Sequence, residues 1–289
     1  MNTLKTTVLM ALLMGIMVAA GGSFGGREGA TIMFVIALGM NFFSYWFSDS
    51  MVLSAYSARE VGPSEAPELY QMVEQLSKNA GIPMPKVCII PSDVPNAFAT
   101  GRSPSHAAVA VTTGILRVLN MNELAGVLAH ELSHVKHRDT LISTVAATFA
   151  TVISWIANVA QFASLFGGRS NDDERGGGLG TLVTILIAPF AAMLIQMAIS
   201  RSREYEADKS GGEICGNPLA LASALEKLEY ASTRMRPLAG ASTSNAHLCI
   251  VNPLSNAHAT FAGLFSTHPP MQDRIARLRE QAREMRSGR

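Results

Sequence analysis

His130-Glu131-Leu132-Ser133-His134 sets two imidazoles four residues apart, with a carboxylate directly after the first. In a helix, residues four apart share a face, so both rings can reach one cation. Glu131 is rotated off that line, toward where a water on such a cation would sit. This is the H-E-x-x-H pattern, two metal ligands and a general base, and its chemistry is hydrolysis of an amide by a zinc-activated water. The chain supplies the helix the pattern needs. Asn120 and Glu123 have capping-box spacing, and Leu124, Leu128, Leu132 and Val135 form a separate apolar stripe for a core, so helix is expected over 120–137.

A catalytic zinc takes three protein ligands and keeps a position open. His137 does not qualify as the third: it lies about 10 Å along the axis from His130 at ~1.5 Å per residue. The extended motif ending in a third histidine fails too, because His137 occupies its glycine position and Thr140 its histidine position. A better source is Ser200-Arg201-Ser202-Arg203-Glu204-Tyr205-Glu206-Ala207-Asp208. Glu204 and Asp208 are four apart on one helix face, with Glu206 pointing elsewhere. Glu204 could ligate while Asp208 accepts the free N–H of a ligand histidine. A juxtamembrane charge cluster pairing with Arg201 and Arg203 would have the same spacing, and spacing alone leaves both open. His106, His247 and His258 match no ligand spacing.

The elements that must position these residues are partly apolar spans. The chain is 48% hydrophobic and 16% charged, against roughly 25% charged in an ordinary soluble domain. Four stretches, about 6–22, 30–47, 141–166 and 179–199, lack Lys, Arg, Asp and Glu and approach the ~20 residues a spanning helix needs. Gly-rich turns join them into two hairpins. The first stretch, with Lys5 before it and Ala19, Ala20 and Gly21 at its end, also has the features of a signal peptide; a tight hairpin is the more economical reading. Basic residues flank the spans at Lys5, Lys136, Arg138, Arg201, Arg203 and Lys209. By the positive-inside rule both termini and the middle segment face the cytoplasm. The division is therefore a transmembrane hairpin over 1–48, a first catalytic part over 49–139, a second hairpin over 140–200 and a second catalytic part over 201–289. In the polar parts, helices are expected over 65–80, 200–211, 217–233 and 271–285, and strands over 86–90 and 107–112. Residues 96–101 form a further strand or a turn. A net charge of +1 gives no field to gather nucleic acid. Three scattered cysteines, Cys88, Cys215 and Cys249, form no disulfide framework.

H-E-L-S-H, two spans, S-R-S-R-E-Y-E-A-D and then T-H-P-P-M-Q-D-R-I-A-R-L, together with N-A-F-A-T-G and the N-terminal spans, resemble the HtpX group of membrane zinc metallopeptidases, relatives of the CAAX prenyl proteases. The resemblance covers nearly the whole chain. It implies a mostly α, polytopic membrane protein with four transmembrane helices and a cytoplasmic zincin-like (gluzincin) α+β catalytic domain. It implies one Zn2+ on His130, His134 and Glu204, Glu131 as general base, and Asp208 supporting the ligands. It also implies His268 and Arg274 near the substrate, and Asn96 on the segment lining the cleft. Without it, His268 simply begins the turn before Pro269 and Pro270. The role implied is quality control under stress in the bacterial inner membrane, with misfolded or damaged membrane proteins as substrates and the bilayer as surroundings. Two rivals are a prenyl-protein processing peptidase, for which four spans are few, and a membrane chaperone or scaffold with a vestigial metal site. A binding site alone has no need of Glu131.

Overall fold

The computed structural model describes residues 2–143, 201–232 and 269–288. Most of those residues are helical, around a small four-stranded sheet. The first element, α1 (Asn2–Ala55), departs from helical dihedrals only at Gly25 and Gly26; the latter has φ 58°, ψ −143°, a region open to glycine alone. The chain folds back there. The Asn41 side-chain amide in the second arm donates to the Met10 carbonyl in the first at 3.3 Å. Gly21 and Gly29 meet so closely that a Cβ on either would clash with the other's backbone. Expected spans one and two thus form a helical hairpin. Among the described residues one helix, Gly25–Phe47, is long and apolar enough to cross a membrane. Its outer surface carries Ile32, Phe34, Val35, Ile36, Leu38, Phe42, Phe43, Trp46 and Phe47, all exposed, a face suited to lipid rather than water. Expected spans three and four lie almost wholly outside the described residues.

Strands β1 (Arg59–Glu60), β2 (Lys86–Ile90), β3 (Ala97–Ser103) and β4 (His106–Thr112) are ordered β1-β2-β4-β3. β2 and β4 are parallel, the other pairs antiparallel. β3 is therefore an edge, and the segment 96–101 is strand from Ala97 on. Alternation along the strands splits their side chains between two layers. Val87, Ala97, Ala99, Val109 and Val111 pack with Leu69 and Val73 of α2 (Pro67–Ala80) and with Leu124, Leu128 and Leu132 of the central helix. Cys88, Ile90, Phe98 and Ala110 pack with Tyr56, Val52 and Leu53 at the end of α1. The sheet is thus held between α2 and the central helix on one face and the end of α1 on the other. The short strand β1 and helix α3 (Thr113–Val118) were not expected from sequence: two residues and six are too few to show a period.

The central helix, α4 (Met121–His137), starts as its sequence dictates. Asn120 accepts from the Glu123 N–H at 3.0 Å, and Glu123 accepts from the Asn120 N–H at 2.9 Å. The expected stripe of Leu124, Leu128, Leu132 and Val135 is buried. α5 (Arg201–Cys215) crosses α4 so closely that a Cβ on Gly211 would lie 2.9 Å from the His130 Cα. α6 (Pro218–Ser232) is tied to the start of α4 by Ser223 and Lys227, each 2.7 Å from the Glu123 carboxylate. α7 (Met271–Arg286) lies over α5 through Arg277 stacked on the Tyr205 ring and Gln281 donating to the Lys209 carbonyl. α5 runs four residues past its expected end at Gly211, through a second glycine, because packing outweighs the weak helix propensity of glycine. Cys88 and Cys215 are free thiols.

Candidate metal centre

α4 presents His130 and His134 from one face, their rings 4.8 Å apart and nearly perpendicular. α5 crosses opposite them and brings Glu204. Its Oε1 lies 3.5 Å from His134 Nε2 and its Oε2 3.8 Å from His130 Nε2. One ligand atom from each of the three falls within 4.8 Å of the others. Both Nε2 atoms therefore face a shared point with a carboxylate on its far side. Two imidazole nitrogens and a carboxylate oxygen are the donor set of a catalytic zinc site, and the spacing of the donors fits one ion.

The other ring nitrogens are occupied from outside that point. His130 Nδ1 lies 2.9 Å from Asp208 Oδ1. Arg274, fully buried at 0% exposure, grips the same carboxylate at both oxygens, 2.8 Å from Nε and 2.7 Å from Nη2. Burial alone would raise the Asp208 pKa, but the Arg274 charge and its hydrogen bonds bring it down to about 2. The same pairing holds the Arg274 guanidinium above its ordinary pKa despite burial. The resemblance implied that Arg274 lies near the substrate. Here it is enclosed under the site, with its Nη1 3.9 Å from Glu204 Oε2. Glu206 is exposed, on the far side of α5.

His134 has its own carboxylate, from a residue the sequence reading passed over: Nδ1 is 3.2 Å from Asp139 Oδ2. Burial opposes charge on the His134 ring, but the bond to Asp139 and the nearby Glu204 outweigh it and carry its pKa to about 9. Asp139 comes five residues after His134, which in an unbroken helix is about 140° round the axis. It reaches His134 because Arg138 takes a left-handed φ of 59° and ends α4. Only that break, invisible to periodicity, could have signalled it.

Glu131 is buried, and burial raises its carboxyl pKa, with the two histidines pulling the other way. Its Oε2 accepts the Ala99 N–H at 3.0 Å, so the edge strand β3 orients it. Ala99, inside the N-A-F-A-T-G segment, was a second residue sequence reasoning missed. Asn96 is buried immediately before β3, its backbone pinned to Thr112 by three hydrogen bonds at 2.9, 2.9 and 3.1 Å. His137 bonds Ser133 across one turn at 3.2 Å, away from the cluster. His268 lies outside the described residues.

Comparison with known proteins points to one family. The profile of peptidase family M48 matches residues 63–282. A protease HtpX homolog of Persephonella marina is 52% identical over 289 residues, covering 99% of this chain and 100% of the relative. Homologs named alike from Paraburkholderia phytofirmans and Pyrococcus furiosus are each 55% identical, covering 98% and 97% of this chain and 98% and 96% of their own. Among solved structures, the crystal structure of S. mikatae Ste24p aligns with a TM-score of 0.54 at 16% identity. The alignment covers 96% of this chain and 65% of the Ste24p chain, a likeness of fold.

Proposed function

The chain belongs to peptidase family M48, and from that premise we propose that it is a zinc-dependent endopeptidase of the bacterial inner membrane, with His130, His134 and Glu204 as the metal ligands and Glu131 as the general base. The observation that carries the reading is the convergence of the two Nε2 atoms and the Glu204 carboxylate on one point, with Glu131 held beside it by the edge strand. A zinc ion on these ligands supplies Lewis-acid polarisation of the scissile carbonyl and of the attacking water. The remaining steps belong to the chain. Glu131 takes a proton from the water as it attacks and returns it to the departing amine; its raised pKa suits a group that must hold that proton between the two events. Asp208 holds His130 with Nδ1 as donor, so that Nε2 keeps its lone pair for the metal, and Arg274 fixes Asp208. The buried setting strengthens each of these charge contacts. Asn96 and His268 are assigned to substrate contact by resemblance, His268 as a donor to the carbonyl oxygen as charge develops there.

Membrane proteins are the natural substrates for a catalytic domain attached to a lipid-facing helix, and misfolded or damaged ones agree with the HtpX name of the relatives. Residues 140–200 form a second membrane hairpin in this reading, dividing the catalytic domain into 49–139 and 201–289. Both termini and the active site face the cytoplasm. Glu131→Gln tests the mechanism. The variant should insert and bind zinc as the wild type does, yet lose 10²–10⁴-fold in turnover, about the loss expected of a general base. Metal content and cleavage of an unfolded membrane protein are measured on one preparation. Retained zinc with wild-type cleavage would remove Glu131 from the mechanism.

A further inference from the structure

Asp139 is buried, at 5% exposure, and stands between two donors. Its Oδ2 faces His134 Nδ1 at 3.2 Å, and its Oδ1 faces Arg203 Nη1 at 3.6 Å. The adjacent Thr140 hydroxyl donates to the Gly101 carbonyl on β3 at 3.0 Å. One turn of chain thus touches a histidine of the metal cluster, the edge strand that orients Glu131 and the start of α5. It lies where the chain leaves α4 for residues 144–200, and Arg203 lies where the chain returns. The two stretches flanking that segment meet at this carboxylate.

We propose that Asp139 is the positioning residue for His134, and that Arg203 is the reason the position takes a carboxylate. The inference rests on His134 being a metal ligand. With Nδ1–H donated to Asp139, the His134 tautomer is fixed and Nε2 presents its lone pair toward Glu204, 3.5 Å away. A carboxylate only accepts, at both oxygens, so it serves a ring N–H and a guanidinium together. An asparagine offers one acceptor and one donor. With its oxygen toward His134 its NH2 meets the Arg203 guanidinium, donor against donor; turned the other way, it leaves His134 facing an NH2. Asp139→Asn therefore fails because Arg203 is present, although the amide oxygen could serve the histidine. Asp208 and Arg274 make a tighter pair at His130, but they come from α5 and α7, so neither pair can substitute for the other.

The test uses the full chain, stripped of metal in detergent and titrated with Co2+ against a competing chelator. The visible absorption of the bound cobalt reports ligand geometry, and the thermal midpoint reports the fold. Asp139→Leu and Asp139→Asn should each bind Co2+ about 10–100-fold more weakly, with an altered spectrum, as for other residues that orient metal ligands. Arg203→Met alone should bind nearly as the wild type. The double variant Asp139→Asn with Arg203→Met should recover most of the lost affinity and the wild-type spectrum, because the amide can then turn its oxygen to His134. A residue needed only for folding would not be rescued by removing a second charge. Wild-type affinity and spectrum in Asp139→Leu would overturn the role of Asp139. A double variant no better than Asp139→Asn would overturn the role of Arg203. Undiminished Co2+ binding by His134→Ala is the distinct result that would remove the ligand reading beneath both.

Discussion

His130 and His134 stand one turn apart on a single helix, but the fold supports them by different means. His130 is 2% exposed, and its Asp208 comes from α5, held at both oxygens by an arginine from α7 that is 0% exposed. His134 is 16% exposed, and its Asp139 comes from its own stretch of chain, with Arg203 at 3.6 Å. The first arrangement is long-range and buried, so its charges interact strongly and none can be removed singly without cost. The second is local and closer to solvent, and is made by a helix break rather than by packing. One histidine depends on how three helices assemble; the other depends on a turn.

Variants can break or sharpen this contrast. The largest effect should come from Glu204, which serves both histidines. Glu204→Ala should leave the purified chain without metal by elemental analysis, and retained zinc would place the third ligand elsewhere. Next is Arg274→Met, which strands Asp208 as a buried charge at a cost of about 3–5 kcal/mol. Denaturant or thermal unfolding of the metal-free protein measures it, and Arg203→Met should cost clearly less. Equal losses would erase the distinction between the two ends of the site. Smaller again is Asp208→Asn. It should weaken metal binding about 10–100-fold, and removing Arg203 should not rescue it, since Arg203 belongs to the other histidine.

The smallest effects lie at the far end of α4 and calibrate the rest. Asn120→Ala removes the cap and should cost about 1 kcal/mol of stability with no change in metal affinity. Glu123 adds a pH dependence. Burial would raise its carboxyl pKa, but Lys227, Ser223 and the Asn120 N–H hold it below the ordinary 4.5. A lowered pKa in the folded state contributes stability that is present above the unfolded value and disappears as pH falls through the folded one. The gap in thermal midpoint between wild type and Glu123→Gln should therefore close on acidification below 4.5. A gap that persists would mean the charge contributes nothing.

What the sequence by itself determined is what one helix or one strand can encode. The four-residue spacing of His130 and His134, the capping box at Asn120 and the leucine stripe are short-range facts. So are the β-branched runs of β2 and β4 and the pairing of Glu204 with Asp208, and the 3.6 and 2.0 periods carry them without reference to the rest of the chain. N-A-F-A-T-G could be read as strand or turn because an edge strand of small residues has little alternation to show. Where α5 crosses α4, and hence whether Glu204 meets the histidines, was left by spacing at even terms with a surface charge cluster. The resemblance implied that they meet; only the tertiary structure supplied the means, through the close approach at Gly211. The same holds for the burial of Arg274 beneath the site and for the bond from Ala99 to Glu131, which join residues far apart in the chain. Asp139 is the sharpest case. Its distance from His134 in sequence is fixed at five, but the direction its side chain takes depends on the left-handed turn at Arg138. A non-glycine residue holds that conformation only where the surrounding contacts outweigh its cost.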